Sequence, residues 1–168
     1  SLVNKVGTLS STDKADLQKS FDQAANSAEL STTYNPSNYQ NFQLLGSVYQ
    51  AAGLLGVKDA YSRAIEAYKT ASALNPNNPG LKLVIANLLF VDGKTDDAKD
   101  YINQSLSLKP DYVDALLSLS QIAKSEGKMD DALSYAQKAL FVSPSDTDLI
   151  KYVDSLKTPT QAPKSKKP

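Results

Sequence analysis

Pro76, Pro110 and Pro144 stand 34 residues apart, and each closes a helix-compatible run: "SALNPNNPG", "SLKPDY" and "FVSPSD". Proline cannot continue a helix and drives the residue before it toward extended geometry. A stop that recurs at a constant interval means that one supersecondary unit is being repeated. Sliding the chain by 34 aligns more than prolines. Ala64, Ala98 and Ala132 coincide, as do Leu74, Leu108 and Val142; Ala71, Ser105 and Ala139 form a row of small residues, and Gly93 falls on Gly127.

Each unit reads as two helices. In "DYVDALLSLSQIAKSEG", Leu116, Leu119, Ser120 and Ala123 share one helical face, and Gly127 ends the helix as a residue free to take positive φ. "MDDALSYAQKALFVSP" follows, with Ala132, Ala136, Ala139 and Leu140 on its face and Asp130 and Asp131 in its first turn, where carboxylates favour the helix dipole. The unit before it repeats this, with Asn78 as N-cap and Pro79 in the first turn. The earliest complete unit is longer. From Gly53, read as its turn residue, to Ala64 is eleven residues, against five from Gly93 to Ala98; the six extra fall within "LLGVKDAYSR". Ser37 and Gln40 offer it a capping box.

The same stop occurs at Pro36, 40 residues before Pro76, which is the period plus the insertion. Ala24, Ala28 and Ser31 precede it at the spacing of the later second helices. The expected layout is one domain over 1–157. Residues 1–38 hold an N-terminal helix or degenerate half repeat, and 39–78 the repeat with the insertion. Two further repeats occupy 79–112 and 113–146, and a capping helix 147–157. In that cap Ser145 and Asp148 serve the N-terminus, and Ile150 and Val153 cover the last repeat. Residues 158–168, "TPTQAPKSKKP", with three Lys and no acid, read as a disordered basic tail.

This pattern resembles the tetratricopeptide repeat family: a large residue, Leu, a small residue and an aromatic in the first helix, Gly at the turn, then Ala, an aromatic, a small residue and Pro. Phe42, Leu45, Gly46, Tyr49, Gly53, Ala64, Tyr68, Ala71 and Pro76 carry it in the first complete unit. The second departs at Lys82, and the third replaces both aromatics with Ala123 and Ala136. The resemblance implies an all-α fold, a right-handed superhelix of helix-turn-helix repeats. The stretch 38–79, with its "GV…AY" insertion, is similar to repeats on the tails of bacterial membrane proteins related to O-antigen ligases and polymerases. That narrower likeness implies a structural or oligomerising tail, with a membrane tether upstream.

Composition limits the chemistry. Eighteen basic residues balance eighteen acidic ones, which argues against a nucleic-acid partner. There is no His and no Cys, so the usual general bases, nucleophiles and zinc ligands are missing, and neither a catalytic residue, a metal nor a cofactor is expected. The longest apolar run, "LKLVIANLLFV", is too short to span a bilayer. The chain starts without Met, as a fragment of a longer protein would. A soluble domain is the expectation; its location is left open, cytoplasmic or, if the chain is part of a larger membrane protein, at the cell envelope.

In the resembled family, first helices line an inner groove. The positions off the packing stripe are Gln40, Gln43, Ser47 and Gln50, then Leu83, Asn87, Phe90 and Val91, then Leu117, Gln121 and Lys124. Such a concave surface, amide-rich at one end and apolar in the middle, suits a peptide or protein segment, with Phe90 as an anchor. The expected function is a non-catalytic protein–protein interaction scaffold.

Overall fold

The computed structural model describes residues 11–157. All of its regular structure is helical: α1 (Ser11–Tyr34), α2 (Tyr39–Leu54), α3 (Ala60–Leu74), α4 (Pro79–Val91), α5 (Thr95–Leu108), α6 (Val113–Ser125), α7 (Met129–Val142) and α8 (Thr147–Lys157). No strand occurs among the described residues. The basic tail read at 158–168, like the first ten residues, lies outside them. The chain falls into two compact units, one running up to Tyr101 and the other starting at Ile102, a boundary inside α5.

Two kinds of turn, each repeated, generate the helices. Every proline stop is the second residue of a four-residue turn. Asn38 donates its backbone N–H to the Asn35 carbonyl, Asn78 to Asn75, Tyr112 to Lys109 and Asp146 to Ser143, at 3.2–3.3 Å. Proline pre-sets the backbone at the second turn position. The residue before it leaves helical geometry, with φ −134 and ψ 71 at Asn75 and φ −128 and ψ 70 at Ser143. In three of the four the fourth turn residue then caps the next helix with its side chain. The side chain of Asn38 accepts from the Gln40 N–H, Asn78 from Gly80 and Leu81, and Asp146 from Asp148 and Leu149. The expected caps Ser37 and Ser145 are displaced by one residue, because the turn must close before the helix starts. Ser37 instead donates to the Asn35 side chain at 3.0 Å, and Asp148 holds the first turn of α8 rather than its cap.

The turns within pairs use a positive-φ glycine: Gly56 at φ 82, Gly93 at 79 and Gly127 at 77. The residue after each donates to a carbonyl five back, Val57 to Ala52, Lys94 to Leu89 and Lys128 to Ala123, which closes the helix end as a Schellman turn. Gly56, not Gly53, is therefore the turn residue of the first pair. The insertion lengthens α2 to 16 residues, against 13 in α4 and α6, and the rest widens the loop and extends the start of α3. Gly53 stays helical for a packing reason: a Cβ there would stand 2.6 Å from the Tyr61 ring.

In the first unit, α2 packs along α3, α1 lies against α2, and α3 against α4. Its core includes Tyr49, Ala52, Ala60, Ala64, Ile65, Tyr68, Ala71, Leu81, Ile85, Ala86 and Leu89. In the second unit α7 packs between α6 and α8. Its core joins Leu116 and Ala123 to Ala132, Ala136 and Ala139, and these to Leu149, Val153 and Leu156 of α8. The covering stripe of α8 starts at Leu149; Ile150, read as part of it, is 38% exposed. The small-residue rows are fully buried: Ala64, Ala98 and Ala132, then Ala71, Ser105 and Ala139, are each 0% exposed. Without a bulky side chain at these positions, helix backbones can approach closely.

Candidate functional site

The α2 helix presents one polar ladder. Its packing side spends Gly46 and Tyr49 on the core, so Gln40, Gln43 and Ser47, three and four residues apart, share the open side. These three line a cleft of about 320 Å³ together with Leu44 and Tyr68. Tyr68 arrives from α3 because Gly46 leaves room for it: a Cβ on Gly46 would stand 2.8 Å from the Tyr68 ring. The Tyr68 hydroxyl donates to the Gln50 side-chain oxygen at 3.0 Å. Burial pushes this phenol above its ordinary pKa, so it is neutral at physiological pH. The Ser47 hydroxyl donates to the Leu44 carbonyl at 2.7 Å and keeps its lone pairs as acceptors. The cleft thus offers carboxamides, a hydroxyl oxygen and one aliphatic side chain, with no charge on any lining group.

Of the other positions read as groove, Leu83 is 5% exposed. Its side chain is spent on packing and offers no surface, because α4 is apolar on nearly all sides. Asn87 is exposed, Phe90 half-buried and Val91 63% exposed. In the second unit, Leu117 is half-buried against the core, while Gln121 and Lys124 are exposed on α6. The Lys124 ammonium lies 5.6 Å from the centre of the Tyr152 ring, and the Tyr152 hydroxyl is 3.1 Å from that of Ser120, which donates to the Ala132 carbonyl at 2.6 Å. Sequence phase therefore brought out Gln40, Gln43 and Ser47 as neighbours. It missed Leu44 and did not place Tyr68 in the groove; the glycine opposite Tyr68 was the signal that its ring crosses to α2.

A second crevice of the first unit, about 340 Å³, is lined by Glu29, Leu45, Tyr49, Ser62, Arg63 and Glu66. Its charges serve each other. Glu29 accepts from the Tyr49 hydroxyl and from the Arg63 guanidinium at 3.1 Å, and that guanidinium lies 4.2 Å over the Tyr49 ring. Glu66 pairs with Lys69 at 3.1 Å. This cluster joins α1 to α2 and α3. Burial, then the bond to Glu29, raise the Tyr49 phenol to about 12. Among the described residues, no three His, Cys, Asp or Glu are placed to hold a metal ion, and no helix is long and apolar enough to cross a membrane.

Comparison with known proteins follows the same lines. Two family profiles, each described as Tetratricopeptide repeat, match residues 58–119 and 113–146, and between them they span more than half of the chain. No curated protein sequence matches. Among solved structures, MamA is 21% identical, with a TM-score of 0.69 over 88% of this chain and 83% of that one. TTC0263, a thermophilic tetratricopeptide protein of Thermus thermophilus, is 24% identical, with a TM-score of 0.71 over 83% and 74%. The first tetratricopeptide domain of Spaghetti (RPAP3), solved with the HSP90 peptide SRMEEVD, is 19% identical, with a TM-score of 0.61 over 71% and 90%. With its repeated proline and glycine turns, its buried small-residue rows and these matches, the chain belongs to the tetratricopeptide repeat family.

Proposed function

We propose that this domain is a non-catalytic scaffold that binds a segment of another protein along its first helices. The observation that carries this reading is the α2 cleft, where Gln40, Gln43 and Ser47 stand together on one open helix side with Leu44 beside them. Such a surface holds an extended segment by hydrogen bonds and one or two apolar contacts. The RPAP3 domain, which shares the fold, was solved with a peptide, and this supports the same mode here. Exposed Asn87 and Val91 on α4, and separately Gln121 and Lys124 on α6, are further contacts in this reading. Most of the Phe90 surface is already used by the fold, so Leu44 and Val91, 52% and 63% exposed, are the better apolar anchors. The narrower link to envelope glycopolymer proteins rests on the first repeat and its insertion; membrane spans encoded upstream would support it.

A photo-crosslinking residue placed at Gln43 tests the reading, with Lys69 on α3 as the control position. Discrete protein adducts from position 43 and not from 69 are expected in an extract of the source cell. Equal labelling from both positions would reject the α2 assignment. A partner so identified should bind the Gln43→Ala, Asn87→Ala double variant about tenfold more weakly, a loss of roughly 1.4 kcal/mol.

A further inference from the structure

We propose that the α2 cleft selects an uncharged, extended stretch of polypeptide, read through its backbone, and rejects a charged side chain or a chain-terminal carboxylate at that place. This rests on the peptide-binding reading above and adds the class of segment. Three observations lead to it.

The first is electrostatic. Gln40, Gln43, Leu44, Ser47 and Tyr68 line the cleft, and none of them carries a charge at neutral pH. A carboxylate or ammonium seated there would give up part of its water and meet no counter-charge among the lining groups, which disfavours it relative to a neutral side chain. The peptide named with the RPAP3 domain, SRMEEVD, is acidic at its end; the α2 cleft has no cation to receive such a group.

The second is the balance of donors and acceptors. Each carboxamide has both, as each peptide group does. The side chains of Gln40 and Gln43 are exposed and bring their full capacity. Ser47 and Tyr68 have each used their hydroxyl hydrogen, on the Leu44 carbonyl and on Gln50, and present oxygen. Gln50, its oxygen engaged by Tyr68, keeps its N–H groups as donors. The third is length. Seven residues of helix separate Gln40 from Ser47, about 10 Å at 1.5 Å per residue, and an extended chain covers this in about three residues at roughly 3.3 Å each. Leu44, 52% exposed within the ladder, provides a shelf for one aliphatic side chain of such a segment.

A neutral carbohydrate would also match amides and hydroxyls. The cleft lacks the aromatic face that sugars stack on, since Tyr68 is only 5% exposed and its ring is held on Gly46. The aliphatic Leu44 shelf favours polypeptide.

The test is an array of acetylated, amidated octapeptides whose three central positions are varied, probed with the full chain. SRMEEVD with its free carboxylate and a neutral oligosaccharide, maltoheptaose, are added as soluble probes. Peptides with neutral, partly aliphatic centres are expected to bind. A central Glu or Lys should weaken them by about tenfold or more. Gln43→Ala should reduce the neutral binders, and Gln43→Lys should move the preference to centres that contain Glu; position 43 is exposed, so neither change disturbs the core. Parent protein that prefers acidic centres or SRMEEVD would overturn the selectivity and leave peptide binding standing. Binders indifferent to Gln43→Lys would remove the cleft as their site. Binding of maltoheptaose with no peptide retained would overturn both this inference and the peptide-binding reading.

Discussion

Gly46 lies beneath the ring of Tyr68, so close that a β-carbon on the glycine would stand 2.8 Å from the nearest ring atoms. The pairing is a size exchange. At the same repeat positions the second unit has Ala86 and Ile102, and the third Ser120 and Ala136. Gly46→Ala should therefore cost roughly 1–3 kcal/mol through overpacking. It should also displace the Tyr68 hydroxyl from Gln50 and so disturb the cleft. The double variant Gly46→Ala, Tyr68→Ile reproduces the combination of the second repeat and should regain most of the loss. Urea midpoints of the parent, the single and the double variant measure this; a single variant as stable as the parent would show that the ring gives way without cost.

Ser72 is 3% exposed and its hydroxyl has no hydrogen-bond partner. Repeat register places Leu106 and Leu140 at the same position, so the hydroxyl stands where the other units put hydrocarbon. A buried hydroxyl without a partner loses its hydration for nothing. Ser72→Ala should raise stability by about 1 kcal/mol, read as a higher denaturation midpoint. A lower midpoint would show that the hydroxyl is satisfied in solution.

The parts of the fold that were legible in the sequence are those set by local chemistry. Proline at the second turn position and Asn78 as a cap act within a few residues, so the helix pairs and their period follow from the chain alone. Errors arose where two local readings were equally good. In "GLLG" either Gly53 or Gly56 could end the helix, and the contact of Gly53 with Tyr61 decided it. Ser37 and Asn38, or Ser145 and Asp146, are adjacent capping residues, and only the closed turn selects the second of each pair. Leu83 was misplaced because "LKLVIANLLFV" is apolar on nearly every side and gives no phase contrast. The Glu29–Arg63 pair joins residues 34 apart on two exposed, polar helix surfaces, and no spacing rule points to it.

That pair leads to a pH prediction. The buried Tyr49 phenol, edge-on to Phe21 at 6.1 Å and bonded to Glu29, is raised from 10.0 to about 12. The folded state therefore holds the phenolic proton more tightly than the unfolded state. The stabilisation is complete below pH 10 and is lost as the pH rises from there to about 12. Tyr68 and Tyr112 are raised by burial too, so the contrast with a variant isolates Tyr49. Tyr49→Phe should cost about 1 kcal/mol at neutral pH, where the bond to Glu29 is lost, and should lose less than the parent between pH 10 and 12. Urea unfolding at several pH values tests this, and parallel alkaline limbs for parent and variant would contradict it.

The last prediction follows from the one first helix that lacks a side-chain cap. Asn38, Asn78 and Asp146 each follow their proline by two residues, and each bonds the N-terminal amides of its helix. Tyr112 occupies that place before α6, with the same extended backbone, φ −78 and ψ 98, but it makes no capping bond. Its half-buried ring instead lies 5.0 Å from the Lys109 ammonium. Tyr112→Asn gains a cap and loses the ring, so its net effect alone would not isolate capping. Tyr112→Ala loses the ring and gains nothing. The Asn variant should exceed the Ala variant by about 1 kcal/mol, within the usual 0.5–2 kcal/mol range of such caps, and hydrogen exchange at the first amides of α6 should slow in Asn relative to Ala. Equal midpoints for the two variants would mean that the turn at Pro110 does not present its fourth residue to the helix as the turns at Pro36, Pro76 and Pro144 do.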